Sequence, residues 1–474
     1  MKQDSLQFLN KAHDHMARPE LRQHMDRLGV TLPLAREQAI AQLGNFEQLR
    51  EHVKNIKNHT LENLDYYLTR YEEQVIQRGG KVHWARNADE FNGIVLDICK
   101  KHDAQRVGKG KSMVTEETDL TAHLQHHGLE VTETDLGEYI IQLAEEPPSH
   151  IVSPAFHKSV NDIRELFLEK HDLGERELAD PDSLVQEARQ ILRAKFLAAD
   201  VGIIGANALI AEDGRSMLVT NEGNGDLLST LPKVHIVCAT IDKVLPRPED
   251  ATALLRLLVR SATAAVMSAY TSFYCGPRGE VDLDGPEEFH VVLLDNRRSD
   301  ILGSQYEEML RCMRCGACLN HCPIYIGAGG HAYGWVYPGP MGSVLTPLLT
   351  GLEQSHTLPN ACTACGRCAE VCPAAIPLPD LLRDLRAEER ERGLSPLHWR
   401  LGLKLHAWLA RLPRLYQVLT GLIVRLLHLC GRRRGALRSL LLSNGWTQVR
   451  DFPAPQGKTF KQQWKQRQRE QSRE

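Results

Sequence analysis

No G-x-G-x-x-G run follows a strand-like segment in this chain, which removes the phosphate-binding fingerprint of a dinucleotide fold. Gly110-Lys-Ser112 offers the end of a phosphate loop, but that loop needs glycine five positions earlier, and position 105 is Gln. The opening Met1-Lys-Gln-Asp-Ser-Leu6 lacks the apolar core of a secretory signal, so a cytoplasmic location and reduced thiols are expected. The Leu- and Trp-rich C-terminal part has uncharged runs of only ten residues, 415–424, and eleven, 439–449. Crossing a bilayer takes about twenty apolar residues, so no transmembrane span is expected. No recognised nucleic-acid-binding fold is present and most of the chain is acidic, which argues against a basic tail that binds nucleic acid beside purely structural clusters.

What the chain has is cysteine in a particular order. Cys312-Met-Arg-Cys315-Gly-Ala-Cys318-Leu-Asn-His-Cys322-Pro323 is written again as Cys362-Thr-Ala-Cys365-Gly-Arg-Cys368-Ala-Glu-Val-Cys372-Pro373. Two-residue gaps let three thiolates of one tight loop reach three corners of an iron–sulfur cube, while the fourth, before proline, ligates the other cube. Two [4Fe–4S] clusters are therefore expected. One takes Cys312, Cys315, Cys318 and Cys372; the other takes Cys362, Cys365, Cys368 and Cys322. Zinc favours separated C-x2-C pairs and does not explain the triple. The other four of the 12 cysteines, Cys99, Cys238, Cys275 and Cys430, stand apart and read as ordinary thiols.

The chain of 474 residues suggests about three domains. Residues 395–474 hold 16 Lys/Arg and 3 Asp/Glu, leaving 41 against 57 in the rest: a basic tail on an acidic body. Such a tail docks on a partner or lies on a membrane surface as a basic amphipathic segment, with Trp399, Leu401, Leu405, Trp408 and Leu412 as apolar residues. Its last stretch, 462–474, reads as frayed.

Residues 1–80 carry a helical period. Residues 81–300 alternate strand-like and helix-like segments, which argues for an α/β layered domain. Val201 to Ala211 reads as one long strand that turns at Asp213-Gly214 into a hairpin with 216–220. The cysteine unit spans 301–390, with helical flanks at 304–311 and 379–392, favouring a helical ferredoxin arrangement. The 39 residues between Cys322 and Cys362 include Gly327, Gly329, Gly330, Gly334, Gly339 and Gly342. That spacer either covers the clusters, meets a partner or runs as an exposed linker.

Four elements in order, Lys109-Gly-Lys-Ser-Met113 with Thr115-Glu-Glu117, Glu133 to Gln142 with Pro147-Pro-Ser-His-Ile151, Thr220-Asn-Glu-Gly-Asn-Gly225, and the double cysteine motif, resemble the lactate utilization iron–sulfur protein B family. The resemblance covers nearly the whole chain, including Phe452-Pro-Ala-Pro-Gln-Gly457. It implies a three-layer α/β domain related to sugar-phosphate isomerases and CoA transferases, a helical dicluster domain and a basic helical tail over 391–474. It implies one subunit of a complex oxidising L-lactate to pyruvate. The implied partners are a cysteine-rich subunit of the heterodisulfide-reductase type and a smaller lactate-utilization-domain subunit. This chain has no Cys-Cys-Gly element, so it departs from single-chain subunits that carry both. Which protein takes electrons from the hydroxy acid is left open, and other 2-hydroxy acids stay in play.

Within the α/β domain, Lys109, Lys111 and Ser112 form either an anion clamp or a solvated basic turn. Glu222, Gly223, Asn224 and Gly225 form either a ligand-binding loop beyond a strand or a turn that needs positive φ. Asp135 and Glu138 are either paired carboxylates or, for Asp135, a helix start. Arg297 and Arg298 read a carboxylate or pair with acidic neighbours. His150 and His157 come with no matching metal-ligand set and read as ordinary.

Overall fold

The computed structural model describes residues 3–439 and 451–472, so most of the uncharged run 439–449 lies outside the described residues. Residues Met1–Gly393 form one compact unit and Leu394–Glu474 a second.

The first unit is built on a parallel sheet. Its strands are β1 (Lys81–Ala85), β2 (Arg106–Lys109), β3 (Glu130–Glu133), β4 (Val201–Gly205), β7 (Val234–Thr240) and β10 (Glu288–Leu294), in the order β1-β10-β7-β4-β2-β3. A smaller sheet joins β5 (Ala208–Ile210), β6 (Arg215–Thr220), β8 (Val244–Leu245) and β9 (Tyr270–Tyr274) in the order β8-β5-β6-β9. Both faces of the large sheet are apolar, because successive side chains point opposite ways. Val237, Ala239, Val291 and Leu293 enter one core, with Tyr71, Tyr139 and Leu228. Ile236, Cys238, Val292 and Leu294 enter the other, with Phe91, Val95 and Leu124. A parallel sheet covered on both sides gives the α/β architecture expected. The covering helices start at polar caps: Asn87 accepts from the Glu90 amide at 3.0 Å, and Asp180 and Ser183 form a reciprocal pair around Pro181.

The long strand expected over 201–211 divides in two. Residues 201–205 belong to the large sheet and 208–210 to the small one. Asn207 makes the corner: its amide donates to Met217 O at 2.8 Å and its side-chain oxygen accepts from the Val219 amide at 2.8 Å. The hairpin turn at Asp213-Gly214 lies between β5 and β6.

The N-terminal helices lie across both the α/β domain and the cysteine region. From helix Phe46–Glu62, Lys57 donates to the Asp242 carbonyl and Arg50 to the Cys372 and Ala369 carbonyls at 2.7 and 2.8 Å. Arg36 reaches Val371 O at 2.7 Å. The glycine-rich spacer is packed inside the unit, not exposed. A Cβ on Gly330 would fall 1.7 Å from Ser149 O, and helix Gly339–Thr350 is almost wholly buried.

In the second unit, helices Leu397–Ala410 and Pro413–Gly431, a pair of two-residue strands at 436–437 and 452–453, and helix Phe460–Gln471 expose Trp399, Leu403, Trp408 and Leu426. Of the stretch read as frayed, the residues up to Gln471 are helical, held at the helix start by a Thr459–Gln462 capping box, and 473–474 lie outside the described residues. Among the described residues no helix is long and apolar enough to cross a membrane.

Candidate functional site

The two cysteine motifs fold alike. Arg314 and Gly316 in the first, and Ala364 and Gly366 in the second, adopt positive φ. These left-handed turns wrap the backbone tightly and bring amides toward sulfur, as Ala364 N donates to Cys362 Sγ at 3.2 Å. The fourth cysteine of each motif crosses to the other loop. Cys312, Cys315, Cys318 and Cys372 line one small void. Cys322, Cys362, Cys365 and Cys368 line another. Burial pushes the Cys315 and Cys368 thiols up to about 12 and Cys322 up to about 11. Free thiolates are therefore disfavoured in these voids, and bonding to iron would make the charged form stable. Four sulfurs around each void, with backbone donors beside them, fit a [4Fe–4S] cube.

The first quartet is internal and borders a cavity of about 500 Å³ in the α/β domain; Ile151 and Arg314 line both spaces. The cavity opens at the carboxyl ends of β2, β4 and β7, through Gly110, Gly205 and Thr240. This is where strand order reverses and where open α/β sheets receive ligands.

Of the residues singled out from sequence, Lys111, Ser112, Asp135, Glu222, Asn224 and Gly225 line this cavity. Gly223, at φ 70°, makes the left-handed turn before helix Asn224–Thr230 and does not line it. Lys109 is turned away. At the end of β2 its side chain is fully buried, 2.8 Å from Glu116 and 3.0 Å from Glu133. With its ammonium held among carboxylates it has no access to a cavity ligand. Burial raises the carboxyls of Glu133 and Glu138 beside it. Asp135 caps a helix, accepting from the Gly137 and Glu138 amides at 3.0 and 3.3 Å. Glu222 accepts from the Leu136 amide at 2.9 Å, joining the glycine turn to that helix.

His150 is structural. Its Nδ1 accepts from the Val152 and Ser153 amides, its Nε2 meets Asn320 Oδ1 at 3.1 Å, and it stacks on Phe156. Burial lowers its pKa to about 3, so it is neutral. His157 pairs with Glu146 at 2.6 Å.

Arg298 belongs to a closed ring of contacts beneath the cavity. It holds Glu117 through bonds of 2.6 and 2.9 Å and Asp242 at 3.1 Å. Tyr337, from the spacer, donates to Glu117 at 2.6 Å. Arg314, from the first cysteine loop, lies 5.3 Å over the Tyr337 ring and 3.8 Å from Asp242. Against the upward push of burial, Arg314, Arg298 and nearby lysines hold Asp242 below the usual carboxylate range. Arg297 pairs instead with Asp300 at 3.3 Å.

Three lining residues carried no signal in sequence: Lys243, Arg314 and Tyr337. Only Arg314 could have been suspected, as the charged residue inside the first cysteine loop. Lys243 comes from a short turn after β7 and Tyr337 from the spacer.

Comparison with known proteins matches three stretches of the chain. Residues 68–294 match the LUD domain, 308–376 the 4Fe-4S dicluster domain, and 392–469 the C-terminal region of lactate utilisation protein B. The chain is 40% identical over 472 residues to lactate utilization protein B of Bacillus licheniformis, covering 99% of this chain and 98% of that one. It is 43% identical over 429 residues to that of Oceanobacillus iheyensis, with 90% and 89% covered, and 42% identical over 428 residues to that of Bacillus subtilis, with the same coverage. At that identity over nearly full length, the chain belongs to the lactate utilization protein B family, iron–sulfur proteins with a 4Fe-4S dicluster domain.

Proposed function

We propose that this chain is the electron-transfer subunit of a cytoplasmic complex that oxidises L-lactate, or a related 2-hydroxy acid, to pyruvate. The observation that carries the reading is the crossed arrangement of the cysteines beside the α/β cavity. Cys312, Cys315, Cys318 and Cys372 hold one cluster; Cys322, Cys362, Cys365 and Cys368 hold the other. When bound, the clusters take up and release electrons one at a time. The protein's own part is to hold the two sites close, keep water from the first and present the second near the surface, where Cys365 is exposed.

The partners in this reading are a cysteine-rich subunit of the heterodisulfide-reductase type and a smaller lactate-utilization-domain subunit. The C-terminal unit, basic and studded with exposed Trp399, Leu403 and Trp408, is the docking element. A second reading, in which this chain's α/β domain itself receives the hydroxy acid, is favoured by one observation: the cavity adjoins the first cysteine quartet through Arg314.

Anaerobic purification of the native complex followed by addition of L-lactate tests the proposal. About eight irons per chain and bleaching of the visible absorbance only with partners present are expected. Bleaching of the isolated chain by lactate would favour the second reading. A stoichiometric zinc protein would end both.

A further inference from the structure

The cavity has an excess of positive charge on the side facing the first cysteine quartet. Lys57, Lys243, Arg298 and Arg314 gather around Asp242, while Glu117 pairs with Arg298 alone among them. Four cations thus meet two carboxylates. Lys57 donates to a backbone carbonyl and Arg298 is taken up by both acids. Lys243 and Arg314 remain, and both line the cavity. Burial brings the pKa of Lys243 down to about 8 against the attraction of Asp242, and among the described residues its ammonium has no ion-pair partner within 4 Å. Arg314 spends one N–H on Cys312 O at 3.3 Å and stands 3.8 Å from Asp242. A guanidinium has five N–H donors, so donors remain for a ligand. The carboxylates that line the cavity, Asp135 and Glu222, hold backbone amides near Lys111, and leave this pair of cations only Asp242, which they share with Lys57 and Arg298.

We propose that the cavity binds a carboxylate on Lys243 and Arg314, and that Arg314 couples its occupancy to the cluster held by Cys312, Cys315, Cys318 and Cys372. The inference rests on the cluster assignment above. Its basis is position: Arg314 lies between two of that quartet's cysteines, in a left-handed backbone conformation of φ 61° that aims its side chain at Tyr337 and Asp242. One guanidinium therefore faces both the ligand and the cluster. The apolar walls, Ile140, Ile204, Leu218 and Leu258 among them, receive the carbon chain of the acid. A carboxylate bound there adds negative charge next to the cluster and makes the cluster harder to reduce. By reciprocity, reducing the cluster weakens the carboxylate's binding by the same factor. An acid would thus be held while the cluster can still accept an electron and released once it has done so.

The test uses the full chain, reconstituted anaerobically to about eight irons, and oxamate, a monocarboxylate that does not donate electrons. Calorimetry on the oxidised and reduced forms is expected to give one oxamate per chain, bound about tenfold more tightly when oxidised. Redox titration followed by electron paramagnetic resonance should then show one of the two centres lowered by about 59 mV, the same tenfold factor for a one-electron couple. Arg314→Gln should keep the iron and lose the difference between redox states. Lys243→Gln, outside both cysteine motifs, should weaken oxamate binding at least about tenfold, which tests the site even where Arg314→Gln disturbs cluster assembly. Eight-iron protein that fails to bind oxamate would show that the surplus charge serves the cluster alone and overturn the proposal. Equal binding in both redox states, or unaltered binding by Lys243→Gln, would overturn it as well. Wild-type protein that takes up no iron would instead sink the cluster assignment itself, and this inference with it.

Discussion

The inner quartet has Cys315, Cys318 and Cys372 buried and only Cys312 partly open; the outer has Cys368 buried, Cys322 and Cys362 partly open and Cys365 exposed. The two motifs have the same spacing, the same glycine and the same pair of left-handed turns. What differs is what lies against them. Gly316 is pressed by His150 and Val152, with a Cβ there 3.0 and 3.2 Å from those side chains, whereas nothing lies within 4 Å of a Cβ on Gly366. One local structure has been placed once under the α/β domain and once near the surface. Identical spacing thereby gives two settings: the inner quartet borders the cavity and the outer quartet lies near the surface.

Ligand removal probes this difference hardest. Cys372→Ser should abolish the inner cluster and leave about four irons per chain. Cys365→Ser, at an exposed position where solvent can replace the lost ligand, should retain more than four. Equal losses would break the comparison. On treatment of the wild-type protein with a chelator, iron should leave in two phases, the outer four first.

Next comes the charged ring under the cavity. Arg298→Met removes the main partner of buried Glu117 and a close partner of Asp242, and should cost about 3–5 kcal/mol in chemical denaturation. An effect below about 1 kcal/mol would mean the ring contributes little to holding the inner site.

Acid should also act from the inner side. His150 is neutral when folded, with a pKa of about 3 against an ordinary 6.5. The unfolded chain takes its proton first, so His150's contribution is complete above pH 6.5 and is lost as pH falls toward 3. One proton over the interval from pH 6.5 to 5 amounts to about 2 kcal/mol. His150→Gln should flatten the slope of unfolding free energy against pH in that window, and an unchanged slope would contradict the assignment.

The smallest effect distinguishes the two glycines. Gly366→Ala meets only the left-handed backbone penalty, about 1–2 kcal/mol. Gly316→Ala meets the same penalty and also the His150 ring, so its midpoint of denaturation should fall further. Equal shifts would mean that the His150 loop yields freely.

Much of the framework was legible because it depends on near neighbours. The apolar stretches 234–239 and 289–294 form central strands, with cores on both faces. Asp135 caps its helix. The reading of 201–211 as one strand missed the corner at Asn207, whose partners Met217 and Val219 come from a different strand of the hairpin. Lys109 was read with Lys111 as one clamp. Alternation along the chain does place them on the same side, but Lys109 has three glutamates packed around it, two of them from β3 and the helix after it. The spacer's burial was one of three open readings, since glycine permits close approach and exposed turns equally well.

The sequence by itself determined the two crossed cysteine quartets, because three thiols at two-residue gaps lie on one tight loop and the cysteine before proline is directed elsewhere by its own backbone. It determined the α/β class for a similar reason: side-chain alternation and helix caps act over a few residues. Tertiary structure alone decided which quartet is inner, that Lys109 is spent on carboxylates, and that Lys243, Arg314 and Tyr337 meet at one cavity. The last of these joins residues 243 and 337, nearly a hundred positions apart in the chain. No local pattern encodes them, since each arises from packing two surfaces that come together only once the chain has folded.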